Sequence, residues 1–283
     1  MSPRLASGPV SWGVDFAGAP GNPDWRVVLD GIAAAGYAGT ELGPYGYLPP
    51  ARGPLERRRL ALTGGFLFEP LHDPRHRHRI TGVARDVASR VRELGGGYLL
   101  IIDAVSGERA ATAGRPADAR RLDRSGHEAM VETIAAVAET AVAAGLRPLV
   151  HPHAGTYIEF ADEVAALRGI CGFCLDTGHC AYAGIDPVAF YDEAPGSVGC
   201  VHLKDLDLDR VVPGFWDSVH AGAFVALGRG GVDFAALLGS MARHGYDGWA
   251  VVEQDRAAGS GDAVADLVAS RAYLDALREA GVA

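Results

Sequence analysis

Four side chains that can bind a metal ion stand at the ends of four consecutive apolar segments in the second half of the chain. They are His151, Asp176, His202 and Glu253. Two imidazoles and two carboxylates form a mixed nitrogen and oxygen donor set. Such a set suits Mn²⁺, Co²⁺, Fe²⁺ or Zn²⁺ better than Ca²⁺ or Mg²⁺, because the last two ions prefer oxygen donors. One histidine alone is better explained as a hydrogen-bonded structural residue, whereas the four together predict a metal centre.

Three more polar side chains lie close in sequence to these ligand candidates. His153 and His179 can contact substrate or carry a proton, since imidazole titrates near neutral pH. An equally good alternative is that they support the ligands through hydrogen bonds. Lys204 can polarise a ketone oxygen or hold a developing enolate. The alternative for Lys204 is an ion pair with Asp205 or Asp207.

These side chains need a scaffold that brings the ends of separate segments together. Short apolar runs predict strands over 10–13, 39–42, 66–71, 98–102, 148–150, 173–175, 198–203 and 249–252. Helical spacing predicts helices over 23–36, 55–62, 80–94, 123–144, 161–167, 232–243 and 263–280.

The alternation of strands and helices predicts a parallel sheet, and about eight such units without a linker predict one closed (β/α)₈ TIM barrel over residues 1–283. An open doubly wound sheet is the alternative, but the GxGxxG fingerprint after its first strand is missing. A barrel places its chemistry at the carboxyl ends of the strands. Polar residues collect at these ends in the first half as well: Trp12, Asp15, Glu41, Glu69, His72 and Asp103.

Composition narrows the class of protein. Hydrophobic residues make up 48% and charged residues 22% of the chain, which excludes a disordered protein. The net charge of −9 argues against a nucleic-acid binder, which would be basic. There is no apolar stretch near the ~20 residues that span a membrane, and the first ten residues lack a leader pattern, so we expect a cytoplasmic protein without a membrane partner. The pair Cys171 and Cys174 is predicted to be buried in a strand rather than redox-active.

Three loop segments have weaker signals. Residues 206–227 are long for a barrel loop and include Phe215, Trp216 and Phe224, so we interpret them as a lid that excludes water. The glycines of 228–231 precede a helix and could cradle a phosphate through backbone N–H groups, although glycine turns are common. The basic run 72–79 is better explained as a solvated loop than as a contact for an anionic substrate.

Six blocks spread in order over the chain resemble the inosose dehydratases, within the wider superfamily of xylose isomerase-like sugar phosphate isomerases and epimerases. They are 12–16, 39–48, 151–156, 175–179, 201–205 and 251–255. The resemblance implies a (β/α)₈ fold and one divalent ion, Mn²⁺ or Co²⁺ first, with Zn²⁺, Fe²⁺ and Mg²⁺ left open. It places ligands at Asp176, His202 and Glu253.

This chain departs from the superfamily pattern at two positions. Many superfamily isomerases have a glutamate where His151 stands, and they use two glutamates to move a proton between adjacent carbons. Relatives also often have an acidic residue where Arg229 lies between glycines. The histidine puts the symmetric proton shuttle in doubt.

The resemblance and the residues together predict a metal-dependent lyase that dehydrates a cyclic polyhydroxy ketone, such as a keto-inositol, through an enolate. Glu253 or His153 would remove the proton beside the carbonyl, Lys204 would hold the enolate, and His179 or His153 would protonate the departing hydroxyl. The residues expected to shape the substrate pocket are Trp12, Glu41, Asp103 and Lys204.

The sequence is also consistent with three alternative functions. The nearest is a metal-dependent epimerase or isomerase of a ketosugar. The others are a DNA-repair endonuclease, against which the negative charge argues, and a non-catalytic sugar-binding barrel. The expected partner is a small polyol ketone or ketosugar, and a homo-oligomer is left open.

Overall fold

The computed structural model describes residues 3–282, whose main feature is a ring of parallel strands surrounded by helices. The strands are β1 (Arg4–Ser7), β2 (Gly39–Thr40), β3 (Ala61–Leu62), β4 (Gly64–Glu69), β5 (Tyr98–Asp103), β6 (Arg147–Val150), β7 (Gly172–Asp176), β8 (Val198–Leu203), β9 (Asp205–Leu206), β10 (Phe224–Val225) and β11 (Trp249–Val252). All of them except β9 and β10 belong to one sheet in the order β3-β2-β1-β11-β8-β7-β6-β5-β4. The prediction of a TIM barrel is confirmed.

Strands β3 and β4 are separated by Thr63 alone, and together they close the ring. β3 pairs with β2, whereas β4 pairs with β5. The N–H of Thr63 donates to the carbonyl of Thr40 at 2.9 Å, and the N–H of Gly97 donates to the carbonyl of Thr63 at 2.8 Å. β3 and β4 therefore occupy one strand position, and the nine strand segments form the eight strands that the (β/α)₈ prediction requires.

The helices lie outside the ring. They are α1 (Trp25–Ala34), α2 (Gly53–Glu56), α3 (Arg77–Leu94), α4 (Gly107–Thr112), α5 (Arg124–Ala143), α6 (Ala161–Ala165), α7 (Thr177–Tyr182), α8 (Pro187–Glu193), α9 (Phe215–His220), α10 (Phe234–Arg243) and α11 (Ala263–Glu279). Aspartates cap many of them; Asp24, for example, accepts from the N–H of Arg26 at 2.8 Å. Among the described residues, no helix is both long and apolar enough to cross a membrane.

Two predicted elements are wrong. The predicted strand 10–13 is a 3₁₀ turn (Pro9–Trp12), and the first strand is the earlier Arg4–Ser7. Pro9 lacks the N–H that a central strand needs, which explains the difference. The predicted helix 55–62 ends at Glu56, and its last two residues form β3 instead. There, pairing with β2 outweighs local helical spacing.

The lid interpretation of 206–227 needs correction for two of its three aromatic side chains. β9 and β10 form a short antiparallel pair, and α9 packs beside them. Phe215 and Phe224 are buried in a small apolar cluster with Leu206 and Tyr182. Only Trp216 is substantially exposed, at 38%. The segment is a packed part of the fold, because its aromatic rings have neighbours to bury against.

Candidate metal centre and active-site cavity

The centre of the site is the imidazole of His202, on β8. Its Nδ1 lies 3.1 Å from Glu253 Oε2, 3.6 Å from Asp176 Oδ2 and 3.3 Å from His151 Nε2. All four side chains are buried. They follow or end the neighbouring strands β6, β7, β8 and β11, so the barrel brings together the four residues that the sequence analysis selected as ligands.

The opposite nitrogen of His202 is held by a carboxylate. Its Nε2–H donates to Glu41 Oε1 at 3.0 Å, and the hydroxyl of Tyr98 donates to the same oxygen at 2.7 Å. Because Nε2–H is held by Glu41, Nδ1 is the nitrogen that faces Asp176 and Glu253, where an ion would replace its proton. Glu41 thus lines the cavity but is engaged in orienting His202.

The barrel interior makes room for this arrangement at Gly64. A Cβ atom on Gly64 would lie 2.2 Å from the ring of Tyr98, so any larger residue would displace that ring. Tyr98 is buried, and its hydroxyl reaches both Glu41 and Thr63. A glycine at the start of β4 is therefore part of the support for His202.

The residues present fit a divalent cation. Asp176 Oδ2 is buried and, within 3–282, accepts no hydrogen bond; it has only charge contacts, the nearest with Lys204 Nζ at 3.2 Å and His151 Nε2 at 3.4 Å, and could accept a ligand bond. Asp176, His202 and Glu253 offer ligand atoms within 4.8 Å of one another. Burial alone would lower the pKa of His202, but the charges of Glu253 and Glu41 raise it well above its usual range, so the site favours a positive charge at this ring. Mixed nitrogen and oxygen donors suit a transition-metal ion.

Lys204 adjoins the same carboxylates from the cavity side. Its Nζ lies 2.9 Å from Asp255 Oδ1, 3.2 Å from Asp176 Oδ2 and 3.6 Å from Glu253 Oε2. Although burial would lower the pKa of Lys204, Asp176 and Asp255 raise it well above its usual range. Lys204 is therefore a permanent cation. Its partners are these carboxylates, and not Asp205 or Asp207 as the alternative proposed.

The rings of His153 and His179 lie against each other, tilted by 39°, with their centroids 3.7 Å apart. His179 Nε2 lies 3.3 Å from Nζ of Lys204. Burial, with the charges of His151 and Lys204, lowers the pKa of His153 to about 3, and burial with His153 lowers that of His179 well below its usual range. Both rings are neutral. The Nδ1–H of His153 donates to the carbonyl of Ala154 at 2.8 Å, so its Nε2 keeps a lone pair.

These groups form the floor and one wall of a cavity that is open to solvent at its mouth. The opposite wall is apolar, made by Phe66 and Phe68 of β4 and by Leu100 and Ile102 of β5. Trp216 lines the same cavity. A ligand here would meet polar groups on one side only.

Two of the predicted substrate-binding residues lie elsewhere. The ring of Trp12 packs over Gly31 of α1. Asp103 is fully buried and accepts hydrogen bonds from the N–H groups of Leu71, at 2.9 Å, and Tyr157, at 3.0 Å. Asp103 thus connects two loops. The side chains of Trp12 and Asp103 therefore stabilise the fold and do not face the cavity.

Three charged lining residues were not part of the predicted site: Asp15, Asp255 and Arg256. Asp15 is exposed at the cavity mouth, yet desolvation by the surrounding protein and the nearby Asp255 raise its pKa to about 6. Burial also raises the pKa of Asp255. Asp255 follows Glu253 by two residues, and the two-residue repeat of extended chain could have placed them on one face.

The glycine turn at 228–231 does not offer a free phosphate cradle. The N–H groups of Gly228 and Gly230 donate to Asp205 Oδ2 at 2.9 and 2.8 Å, and that of Val232 donates to Asp205 Oδ1 at 3.1 Å. The carboxylate of Asp205 takes the position that a phosphate would need.

Comparison with known families gives one match over most of the chain. Residues 29–277 match the sequence profile described as the xylose isomerase-like TIM barrel. The rhizopine catabolism protein MocC of Rhizobium meliloti is 31% identical over 271 residues, which is 90% of this chain and 82% of that protein. An inosose dehydratase of Geobacillus kaustophilus is 26% identical over 269 residues, covering 89% and 87%.

Solved structures share the fold at lower identity. An L-ribulose 3-epimerase superposes with a TM-score of 0.74 at 18% identity, covering 98% of this chain and 95% of that one. The probable 3-DHS dehydratase AsbF of Bacillus anthracis superposes with a TM-score of 0.72 at 14% identity, covering 96% and 98%. At these identities the likeness establishes the barrel alone.

Proposed function

The chain belongs to the xylose isomerase-like TIM barrel family, and we propose that it is a metal-dependent dehydratase of a cyclic polyhydroxy ketone. The observation that carries the proposal is the convergence of Asp176 Oδ2, His202 Nδ1 and Glu253 Oε2 beside Lys204 and His153 at the floor of one cavity. The similarity to an inosose dehydratase supports the choice of substrate class.

The proposed ligands are Asp176, His202, Glu253 and His151. A divalent ion held there would supply a Lewis acid that polarises a ketone and makes the neighbouring C–H more acidic. The ion expected first is Mn²⁺ or Co²⁺, because the donor set mixes nitrogen with oxygen.

His153 is the base in this proposal. Its Nε2 has a free lone pair in a ring that faces the cavity. Glu253 is less suited to remove a proton, because its carboxylate is a proposed ligand of the ion and Lys204 lies 3.6 Å from it. The ammonium group of Lys204 lies where it can stabilise the negative oxygen of an enolate.

Two groups lining the cavity can protonate the departing hydroxyl. His179 is neutral but adjoins His153, so it could pass on to the hydroxyl the proton that His153 has removed from carbon. Asp15, at the cavity mouth, holds a proton at mildly acidic pH because its pKa is raised to about 6. Loss of the hydroxyl on this side would complete the elimination of water.

The distribution of polar and apolar side chains around the cavity also limits which substrates can bind. Hydroxyl groups on the ketone side would face His153, Lys204 and Asp255, whereas the far side of the ring would pack against Phe68 and Leu100. A keto-inositol has oxygen atoms around its whole rim, so the part of the ring against these apolar side chains would be a C–H face, since burying an unpaired hydroxyl there is costly.

The test incubates the purified protein, with Mn²⁺ or Co²⁺, with keto-inositols and ketohexoses in deuterated water. We expect loss of water from a keto-inositol, seen as a mass decrease and ultraviolet absorbance of the enone or dione product. His202→Ala should abolish it, whereas His78→Ala, which alters an exposed histidine on α3, should not. Deuterium exchange and epimerisation without loss of water would instead establish an epimerase and overturn the proposal.

A further inference from the structure

Two thiols lie inside the barrel directly beneath the candidate metal centre. Cys174 of β7 and Cys200 of β8 are register partners, and both are fully buried. Side chains alternate along a strand, so Cys174 projects to the same interior face as Asp176, one layer deeper. The proposed reaction uses neither thiol.

Cys174 completes a second set of metal-binding side chains with two residues of the first set. His151, Cys174 and His202 offer ligand atoms that all lie within 4.8 Å of one another, and all three side chains are buried. The two rings are in direct contact, with His151 Nε2 3.3 Å from His202 Nδ1. The pair of histidines therefore lies between carboxylates above, at Asp176 and Glu253, and a thiol below.

His151 provides an independent sign that this layer can take a ligand. Its Nδ1 is buried and, among the described residues, has no hydrogen-bond partner, so nothing fixes which ring nitrogen carries the proton. Lys204, by contrast, lies on the carboxylate side, 3.2 Å from Asp176 Oδ2.

The two sets differ in chemical softness. Thiolate with imidazole is the donor combination of zinc and other thiophilic ions, whereas carboxylate with imidazole suits harder ions such as Mn²⁺. We propose that His151, Cys174 and His202 form a deeper site for thiophilic divalent ions, Zn²⁺ and Cd²⁺, that shares both histidines with the upper site. An ion bound there withdraws His151 and His202 from the upper set, so the two sites exclude each other.

Binding at the deeper site requires the thiol of Cys174 to lose its proton to solvent as the sulfur–metal bond forms. No oxidant or reductant takes part. This inference rests on the same two histidines as the proposed function but not on the reaction. A failed dehydratase assay would leave it standing, and its own failure would leave Mn²⁺ binding at the upper site untouched.

The experiment titrates the metal-free, full-length protein with Cd²⁺. We expect an ultraviolet thiolate-to-metal charge-transfer band that saturates at about one ion per chain. Cys174→Ser should abolish the band and weaken Cd²⁺ binding by at least about tenfold, as for loss of a metal ligand or its support. Cys171→Ser is the matched control on the same segment, half-buried and outside the cluster, and should keep the band. Mn²⁺ should compete with Cd²⁺ for the wild-type protein.

Sulfur bonded to the ion can also be detected without any variant, by X-ray absorption of the Cd²⁺-loaded wild-type protein. This measurement decides the matter even if Cys174→Ser does not fold, which circular dichroism would reveal. Absence of a sulfur scatterer, or a charge-transfer band that survives in Cys174→Ser, would overturn the proposal. So would simultaneous binding of Mn²⁺ and Cd²⁺ at full occupancy, because shared histidines cannot serve both ions.

Discussion

A single carboxylate, Glu41, determines how the candidate metal centre presents its histidine. Glu41 is not one of the four proposed ligands, but its Oε1 accepts hydrogen bonds from both His202 Nε2 and the Tyr98 hydroxyl. A ligand histidine whose second nitrogen donates to a carboxylate is more basic and is fixed in one tautomer. Glu41 therefore acts on the ion through His202.

Replacing Glu41 by Gln should weaken Mn²⁺ or Co²⁺ binding by about 10- to 100-fold, because the neutral amide is a poorer acceptor for His202 Nε2–H. Isothermal titration of the metal-free protein would measure this. Glu69→Gln is the control, since Glu69 also ends a barrel strand but pairs with Arg79 at 2.6 Å. Equal affinities in the two variants would show that Glu41 has no influence on the ion.

Asp15 should make stability depend on pH. Although the side chain of Asp15 is exposed at the mouth of the cavity, desolvation by the surrounding protein and the nearby Asp255 raise its pKa from 3.8 to about 6 in the folded protein, so the folded state holds more protons than the unfolded state between these values. Stability from this group is therefore present at low pH and is lost as pH rises through about 4 to 6. Relative to Asp15→Asn, the metal-free wild-type protein should lose thermal stability over this range.

The measurement is the melting temperature of both proteins from pH 4 to pH 7, with chelator present. Asp86→Asn, an exposed carboxylate on α3, serves as the control. Parallel curves for wild type and Asp15→Asn would mean that the carboxyl of Asp15 is fully hydrated in the folded state.

At the scale of elements, the segment from β9 to β10 combines packing with exposure to the cavity. Phe224 is 1% exposed, and its ring stacks with that of Tyr182 at 6.2 Å between centroids. Trp216 is 38% exposed and lines the cavity. The two aromatic residues should therefore respond differently to truncation.

Phe224→Ala should lower the free energy of unfolding by about 3–5 kcal/mol, as expected for a buried aromatic side chain. Trp216→Ala should leave unfolding within about 1 kcal/mol of wild type, as for an exposed position, and should raise KM for the substrate. Chemical denaturation and steady-state kinetics of both variants would check this. A destabilised Trp216→Ala with normal KM would place that ring in the core.

At the scale of the whole molecule, a buried ion cluster braces the loops above the barrel, away from the metal centre. Arg109 of α4 is fully buried; its Nη1 lies 2.6 Å from Glu163 Oε1, and its Nη2 lies 3.3 Å from Glu159 Oε2. Glu159 also accepts from the N–H groups of Gly114 and Gly155. The cluster joins the loops that follow β5 and β6.

Arg109→Leu should cost about 3–5 kcal/mol of stability, because it leaves the carboxylates of Glu159 and Glu163 buried without their cation. Metal affinity of the folded fraction should be unchanged, since the cluster lies outside the cavity. Arg124→Leu, at a side chain 92% exposed, is the control and should have little effect on stability. Denaturant titration of both variants decides between a structural brace and a dispensable surface pair.

Local patterns in the sequence are enough to predict the barrel and the end of it that holds the candidate site. Apolar runs alternating with helical spacing are local properties, and in a parallel barrel they leave polar residues such as Asp176, His202 and Glu253 at one end. These residues converge in the structure because adjacent strand ends are neighbours in any closed barrel.

Which polar side chains remain available to a ligand depends on contacts between distant parts of the chain, and these are seen only in the folded structure. Glu41 turns to His202, Asp103 ties two loops, and Asp205 fills the glycine turn. Each of these partners is remote in sequence or set by loop geometry. Local spacing indicates which face of a strand a side chain occupies, but the stagger between strands and the path of the loops select its partner.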